Sequence, residues 1–322
     1  MPTDEKIGYV TRIMPIDSIT IDRVPPGRQV EAFNRVFADV EATARARLVA
    51  DLIATSGPTG LDGLLEARRG KQQVGAVWAQ MQAGSVGNLW PPVLATEEGD
   101  PQVARGLLRA ACGYLKQAGA EIAQAIVSPE DHRQATRLTT ARFVWMADLL
   151  YLASTERQFP HDAPAASLQF EPYRAEEHER MQRVIERTYV GTLDCPKLSG
   201  IRNMDDVLEG YRATGQFRAA WWLFVRDGAG DIGCLLLTDH PQPGQVELIY
   251  MGVVPEARGK GHGILITRHA QWLACLAGRS RLVLAVDASN GPARTTYERA
   301  GFVAWAQRSV FMRSLTDTAL PA

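Results

Sequence analysis

Apolar and polar positions in the C-terminal half alternate in a way that predicts a sheet flanked by helices. A short strand begins at Leu168, and helical patterns cover residues 175–189 and 204–213. Apolar runs from Trp221 and Gly233 then flank the turn-forming sequence DGAGD. Because two strand patterns joined by such a turn are typical of a hairpin, we expect these strands to pair antiparallel.

The rest of this half continues with strands and helices in alternation. A strand from Gln245 ends at Pro255, and apolar residues then recur at helical spacing over residues 261–277. A buried-type strand, a short helix and paired strands follow, and they begin at Arg281, Pro292, Phe302 and Gln307. This order predicts the α+β class, with a mixed, mostly antiparallel sheet flanked by helices.

The N-terminal half repeats this order more faintly. Its strand and helix patterns begin at Ser18, Gln29, Gln73, Val86, Val103, Glu121 and Phe143. A polar, proline-containing stretch over residues 154–166 separates the two copies. The repeat predicts two tandem domains of similar fold, residues 1–155 and residues 166–322. The alternative is that any α/β chain shows such rough periodicity.

Composition and charge exclude several classes of protein. Hydrophobic residues make up 46% of the 322 residues, which excludes wholesale disorder. The formal net charge of -1 leaves no excess of positive charge to neutralise a phosphate backbone, so we expect no nucleic-acid partner. No apolar run approaches the roughly 18 residues needed to cross a bilayer, and we expect no membrane partner.

The four cysteines lie far apart in the sequence, at Cys112, Cys195, Cys234 and Cys275. They form no C-x-x-C pair, so neither a zinc site nor a disulfide framework is indicated. We therefore expect reduced thiols, no metal and a cytoplasmic location.

The strongest local signal is the segment VELIYMGVVPEARGKGHG, residues 246–263, in which a strand runs into a glycine-rich turn and then a helix. Such glycines let the backbone approach a ligand, and the free N–H groups of a helix start attract negative charge. Three interpretations compete: a turn without a ligand, a dinucleotide fingerprint, and a coenzyme A pyrophosphate loop. Ile264 replaces the third glycine of the dinucleotide fingerprint, and Gly261 stands where a Walker loop needs Ser or Thr.

Residues 258–263, with the sequence RGKGHG, resemble the acyl-CoA-binding motif Q/R-x-x-G-x-G/A of the GCN5-related N-acetyltransferases, the GNAT family. Residues 286–302, VDASNGPARTTYERAGF, are similar to a second motif of that family. The resemblance implies acetyl-CoA as the cosubstrate. It places the cofactor-binding residues on the strand before the loop, in the loop and after the next strand: Met251, Gly252, Val253, Arg258, Gly259, Lys260, Gly261, His262, Gly263 and Asn290.

Two side chains are candidates for the chemistry. An alkylammonium must lose a proton before it attacks a thioester, and Glu247 resembles the glutamate that serves as base in the histone-acetylating members. Tyr297 matches the tyrosine with which the family commonly protonates the leaving thiolate. The alternatives are a surface carboxylate for Glu247 and an aromatic ring that packs against the cofactor arm for Tyr297. Asn290 bonds the pantetheine, caps the following helix, or does both.

The first copy departs from these motifs. Residues 95–106 lack the R-x-x-G-x-G pattern, Leu138 takes the place of Tyr297, and Arg142 takes that of Gly301. We therefore expect the first copy not to bind coenzyme A, but to complete the fold as one half of an internal pseudo-dimer.

The loop of residues 188–203 links the first two helices of the second copy, a region that shapes the acceptor site in the family. Asp194 and Arg202 either orient a charged acceptor or form a structural salt bridge, and we favour the salt bridge. Cys195 has no histidine beside it in the sequence, so we expect direct transfer rather than a thiol intermediate.

These features predict an acetyl-CoA-dependent N-acetyltransferase that moves an acetyl group to a primary amine by direct transfer in a ternary complex. The acceptor is expected to be a small-molecule or peptide amine. The protein is expected to be a monomer with an internal pseudo-dimer, or a homodimer. The alternatives are a non-catalytic acyl-CoA-binding sensor or regulatory protein, and a purely structural tandem domain.

Overall fold

The structure of this chain is a computed structural model that describes residues 19–57, 60–96, 99–164, 167–198, 202–228 and 230–316. The chain divides into two compact units. The first unit is drawn from residues 1–79 and 90–114, and the second from residues 80–89 and 115–322. No helix in the described ranges is both long enough and apolar enough to span a bilayer.

The first unit is built on an antiparallel sheet with aromatic side chains beneath it. The elements that begin in this unit are β1 (Ile19–Arg23), α1 (Gln29–Val36), α2 (Ala42–Thr55), β2 (Leu64–Arg69), β3 (Gln72–Gln82) and α3 (Pro101–Gln117). Strand β2 pairs antiparallel with both β1 and β3, and the sequence patterns did not predict it. Phe33 and Trp78 are buried edge to face, with ring centroids 5.2 Å apart. This contact fixes α1 on the sheet.

The second unit holds most of the chain. It contains the start of β4 (Val86–Leu94) and then β5 (Ile122–Val127), α4 (His132–Thr140), β6 (Val144–Thr155), β7 (Gln169–Pro172), α5 (His178–Tyr189), α6 (Met204–Ala213), β8 (Gln216–Asp227), β9 (Gly230–His240), β10 (Gln245–Val253), α7 (His262–Leu276), β11 (Arg281–Asp287), α8 (Gly291–Arg299) and β12 (Val303–Ser314). The strand order is β4-β5-β12-β6-β11-β10-β9-β8-β7. The β4–β5 and β10–β11 pairs are parallel and the other pairs are antiparallel. The predicted α+β class with a mixed, mostly antiparallel sheet is therefore confirmed.

The last strands of the two copies are exchanged. Strand β12 lies between β5 and β6, and β6 lies between β12 and β11. The paired strands expected from Phe302 and Gln307 are wrong, because one continuous strand, β12, occupies this segment, with a bulge at Trp305. The division at residues 154–166 stays a prediction, although β6 extends to Thr155 and Phe159 is buried in the core that contains α7.

The internal repeat is visible in the helix ends. Helix α4 is followed by Arg142 with φ 66°, and α8 by Gly301 with φ 85°, so both helices end in a left-handed residue. The residue that follows donates a backbone hydrogen bond to the last turn of the helix in both copies. The Phe143 N–H donates to the Leu138 carbonyl and the Phe302 N–H to the Tyr297 carbonyl, at 3.0 Å each. The equivalences predicted for Leu138 and Arg142 therefore hold in the backbone.

Helix α7 packs its predicted apolar face against the second unit's sheet. Ile266 and Ala270 are fully buried there, together with Val246 of β10 and Leu282 of β11. Helices α5 and α6 cover the other face of β8 to β10 through a second cluster of buried side chains. Strand β10 is thus held between two helical layers, and this position makes it a rigid support for a site.

His269 on α7 is stacked on the ring of Phe170 of β7, with centroids 3.6 Å apart. Burial lowers the pKa of His269 to about 4. A histidine in an unfolded chain titrates near pH 6.5, so between about pH 6.5 and 4 the unfolded chain binds more protons than the folded one. We expect stability to be lost as the pH falls through this window, and an NMR titration of the ring checks the pKa. The control variant His269→Phe keeps the stacked ring and should lose less stability between about pH 6.5 and 4. A measured pKa near about 6.5 for the His269 ring would contradict the prediction.

Candidate active site

The parallel pair β10 and β11 separates part-way along its length. The pairing joins Gln245, Val246 and Glu247 to residues 281–283, and β11 then continues to Asp287 against β6 while β10 continues against β9. The Val254 N–H donates to Ile232 at 2.9 Å, on the side of β9. Because N–H directions alternate along a strand, those of Met251 and Val253 point away from β9, into the gap that opens between β10 and β11.

The glycine-rich loop lies at the start of α7. Gly259 has φ 75° and Gly261 has φ 81°, both in the left-handed region that favours glycine. At each of these two positions a Cβ would meet no atom within 4 Å, so the space above the loop is open. The N–H groups of the first turn of α7 have no partner within the helix and are available to an anion.

The gap between β10 and β11 and the glycine-rich loop border one cleft of about 500 Å³, here called the main cleft. Its walls also include residues 191–194, which follow α5, and residues from the start of α8. Nine predicted cofactor-binding residues line it: Met251, Gly252, Val253, Arg258, Gly259, Gly261, His262, Gly263 and Asn290. Lys260 is exposed and is absent from the lining. The His262 Nδ1 atom is buried and has no hydrogen-bond partner among the described residues, as expected of an atom that meets a ligand or water.

The side chain of Arg258 braces the cleft. Its guanidinium donates to the carbonyls of Val253 at 3.0 Å, Gly191 at 2.9 Å and Thr188 at 2.8 Å. It thereby satisfies carbonyls at the C-terminal end of α5 and ties that end to β10. An anion at the loop would therefore meet backbone amides rather than this guanidinium.

Asn290 lies where β11 gives way to α8. Its Oδ1 atom accepts from the Ala293 N–H at 3.2 Å, so the predicted helix-capping role is confirmed. The contact of Asn290 with a pantetheine arm stays a prediction.

Glu247 lies apart from the main cleft. His240 Nε2 and Glu247 Oε2 are 2.8 Å apart, and the carboxylate is about one-third exposed. Glu247 precedes Met251 by four residues, about 13 Å along a strand at ~3.3 Å per residue. A proton passing from the cleft to Glu247 therefore needs a relay.

Tyr297 is enclosed by the α7 and α8 core. The residue is 5% exposed, and its ring centroid lies 5.6 Å from that of Phe302. Burial raises the pKa of Tyr297, and the charge of Asp194 raises it further, so the phenol keeps its proton at neutral pH. Its helix neighbours Ala293 and Thr296 line the main cleft.

A second cavity of about 380 Å³ adjoins the main cleft. Its lining comes from α5, the loop after α5, α6 and the bulge of β10: Glu186, Tyr189, Thr192, Asp194, Cys195, Leu198, Arg202, Met204, Val207, Tyr211, Ile249 and Tyr250. Thr192, Asp194 and Tyr250 line both spaces. The cavity itself was not foreseen from the sequence, because it depends on how α6 packs beside β10.

The favoured salt bridge between Asp194 and Arg202 is wrong. Asp194 Oδ1 accepts from the backbone N–H of Asp287 at 3.0 Å. Arg202 donates instead to the carbonyls of Gly84 at 3.1 Å and Asp206 at 3.3 Å. The loop is thus tied to β11 by the side chain of Asp194, and no salt bridge joins Asp194 to Arg202.

Cys195 is a poor nucleophile in this setting. Burial raises the pKa of its thiol to about 12, and the charges of Asp194 and Asp287 add to the shift. The thiolate is scarce at neutral pH, which supports direct transfer. No group of three or more described His, Cys, Asp or Glu side chains is arranged to hold a metal ion.

The equivalent strand of the first copy carries different groups. Ile122 of β5 pairs with Ser314 as Arg281 of β11 pairs with Thr155, so the parallel pairing of Val86 with Ile122 matches that of Gln245 with Arg281. In this register Asn88 stands at the place of Glu247. Pro91 and Pro92 follow Leu89, the last residue of β4 that pairs with β5. Proline has no N–H, so β4 lacks amide donors at these two positions.

Comparison with known proteins assigns part of the chain to a family. The profile of the Acetyltransferase (GNAT) family matches residues 165–302. These residues are therefore a GNAT acetyltransferase domain, and the family expected from the two motifs is confirmed.

Individual relatives agree with this assignment. A mycothiol acetyltransferase from Salinispora arenicola is 38% identical over 105 residues, which cover 30% of this chain and 34% of that protein, so the match spans about a third of the relative's length. A GCN5-related N-acetyltransferase from Sphaerobacter thermophilus superposes with a TM-score of 0.61 at 14% identity, covering 92% of this chain and 96% of that one. A tandem GNAT protein from the clavulanic acid biosynthesis pathway superposes with a TM-score of 0.50 at 12% identity, covering 94% and 100%. These two structures share the fold of this chain.

Proposed function

We propose that this protein is an acetyl-CoA-dependent N-acetyltransferase that transfers an acetyl group directly to a primary amine. The observation that carries the proposal is the main cleft, where the free amides of a separated strand, a glycine-rich loop and a helix start converge. A thioester arm needs backbone donors along its length, and a pyrophosphate needs a helix N-terminus, so both parts of acetyl-CoA have a matching wall. The family assignment of residues 165–302 supports acetyl transfer.

The cofactor contacts follow from this cleft. Met251, Gly252 and Val253 would hold the acetyl-pantetheine arm, and the backbone amides of residues 259–263 would hold the phosphates. Arg258 would brace this loop through its guanidinium, and Lys260 would contribute through its backbone. Asn290 would meet the arm near the start of α8. No contact requires a metal ion.

The reaction needs proton transfers at both ends. The acceptor ammonium gives a proton to Glu247 through water, and the free amine nitrogen attacks the thioester carbon. The amides of Met251 and Val253 stabilise the oxyanion that forms. When the C–S bond breaks, Tyr297 donates a proton to the leaving thiolate. The nitrogen gives up its second proton, which returns through water to the Tyr297 phenolate, and a neutral amide remains.

The wider biological setting is also a proposal. We propose a cytoplasmic location, in keeping with cysteines that lie far apart in the sequence. We propose a small-molecule or peptide amine as acceptor, no nucleic-acid or membrane partner, and a monomer with an internal pseudo-dimer or a homodimer. The two prolines of β4 support a first copy that does not bind coenzyme A. The alternative is a sensor that binds acyl-CoA without turning it over.

Replacing Glu247 by glutamine should lower kcat/KM by about 10²- to 10⁴-fold, the usual contribution of a general base. Glutamine keeps the hydrogen bond to His240 but cannot accept the amine proton. Release of coenzyme A thiol in the presence of a panel of primary amines measures the rate. Glu256→Gln is the matched control, since Glu256 is exposed on the turn after β10 and should leave the rate unchanged.

Tyr297→Phe completes this experiment, because it removes the hydroxyl and keeps the ring packing. A fall in kcat with unchanged acetyl-CoA affinity supports the acid role, and an unchanged kcat leaves Tyr297 as a packing residue. Wild-type protein that binds acetyl-CoA and acetylates no amine in the panel would favour the sensor. Full activity of Glu247→Gln would remove Glu247 as the base.

A further inference from the structure

The second cavity and the main cleft share a wall, which is formed by Thr192, Asp194 and Tyr250. Two substrates that react directly must meet at one point, and these three residues border both spaces. A group at this junction lies within reach of a ligand in either space. The charge of Asp194 also acts on the buried phenol of Tyr297, the proposed acid, which places the junction near the reaction.

Most polar groups around the second cavity are already engaged. The hydroxyls of Tyr189 and Tyr211 lie 3.3 Å apart, and the Tyr250 hydroxyl lies 2.6 Å from Thr188 Oγ1. Arg202 donates to two backbone carbonyls. Among the described residues, Asp194 Oδ1 has the Asp287 N–H as its partner, whereas its Oδ2 atom makes no hydrogen bond. Asp194 therefore offers a free anionic acceptor at the junction.

Among the residues that the structure describes, no cation forms a salt bridge with Asp194. Burial raises the pKa of Asp194, and the nearby charge of Asp287 raises it further. A carboxylate that has no cationic partner gains an ion pair and a charge-assisted hydrogen bond when an ammonium ion binds to it. An uncharged alcohol or thiol acceptor would provide no such gain.

Apart from Glu186 and Arg202, the remainder of the cavity is mostly apolar and aromatic. Leu198, Met204, Val207 and Ile249 line it, and the ring of Tyr211 is stacked on that of Tyr250 with centroids 5.8 Å apart. Its volume of about 380 Å³ suits a small molecule rather than a folded partner. These walls complement the carbon skeleton of a compact ligand.

We propose that Asp194 binds the ammonium group of the acceptor at the junction, and that the acceptor is a small primary amine whose apolar or aromatic body occupies the second cavity. This inference rests on the proposed acetyl transfer and names its acceptor class. Asp194 selects and holds the amine, and Glu247 takes the proton through water, so the two carboxylates have separable roles.

Asp194→Asn tests the proposal with little structural disturbance, because asparagine Oδ1 keeps the bond to the Asp287 N–H. With butylamine, phenethylamine and tyramine as acceptors, the amine KM should rise about 10- to 100-fold, the range for losing a hydrogen bond to a charged group. The acetyl-CoA affinity measured by calorimetry should stay within about twofold. Glu209→Gln is the matched control, since Glu209 is exposed on α6 and lines neither the second cavity nor the main cleft, and its amine KM should be unchanged.

The outcomes separate this inference from the acetyl transfer on which it rests. Failure of the folded wild type to bind acetyl-CoA overturns the proposed function. If the wild type acetylates these amines and the Asp194→Asn variant has an unchanged amine KM, the role of Asp194 is overturned and the proposed acetyl transfer stands. If the wild type acetylates peptides or large polar amines but none of the three small amines, the proposal of a small apolar or aromatic amine as acceptor is overturned.

Discussion

Replacing Gly261 by glutamate is expected to abolish acetyl-CoA binding in a protein that remains folded. Gly261 caps the start of α7 with φ 81°, and it lines the main cleft. A glutamate there puts a carboxylate among the amides that would otherwise receive the pyrophosphate, so repulsion and lost space act together. The left-handed backbone costs a non-glycine residue about 1–2 kcal/mol, which is small beside a typical stability of ~5–15 kcal/mol. Titration calorimetry should show a loss in affinity of at least about 100-fold, equivalent to ~2.7 kcal/mol.

Two control variants separate charge from backbone strain. Gly261→Gln has the same strain and nearly the same bulk without the charge, so it should retain more affinity than the glutamate variant. Gly278→Glu places the same side chain at another left-handed glycine, φ 64°, just beyond the opposite end of α7, and should bind like wild type. Saturable wild-type affinity in a folded Gly261→Glu variant would exclude the loop as the phosphate site.

The local pattern of apolar and polar residues was sufficient to predict most elements of the second copy. Helix α6 covers residues 204–213 as predicted, and α7 buries the predicted face through Ile266 and Ala270. These elements depend on apolar spacing and end signals a few residues apart, which are present in the sequence itself. The glycine-rich loop could be predicted for the same reason.

The pairing partners of the strands could not be predicted from local patterns. The alternation along residues 303–314 indicates a strand and its two faces, but it does not state that β5 and β6 of the other copy are the neighbours. The residues paired with β12 lie more than a hundred positions away in the sequence. Nothing in a local pattern favours them over β11, which a simple tandem arrangement would supply.

The site was partly predictable for a similar reason. Nine of the ten predicted cofactor-binding residues line the main cleft, because they belong to contiguous motifs. The bracing contacts of Arg258 reach Gly191 and Thr188, 67 and 70 positions away, and no spacing rule encodes them. The free carboxylate of Asp194 likewise depends on Arg202 bonding elsewhere, which only the packing of α6 decides.

The exchange of strands leads to the second large expected effect: residues 166–322 produced alone should not fold. Strand β11 would lose β6, its partner along all seven of its residues, and β12 would lose both of its neighbours. The core around α7 would also lose the buried side chains of Leu152 and Phe159. Deleting one such side chain costs about 2–5 kcal/mol, so two deletions together with the lost strand pairing exceed a typical stability of ~5–15 kcal/mol.

Supplying the missing strands should restore the fold, because the two fragments together contain every strand of the second unit described above. Residues 1–165 co-expressed with residues 166–322 should therefore form a complex that unfolds cooperatively and binds acetyl-CoA, as judged by circular dichroism and calorimetry. Leu152→Asp in the first fragment is the matched control, since it places a charge in the shared core and should prevent assembly. Cooperative unfolding and acetyl-CoA binding by residues 166–322 alone would show that the exchanged strands are dispensable. Failure of the fragment alone with recovery in the pair would establish that the first copy, although it lacks the binding motif, is a structural part of the catalytic domain.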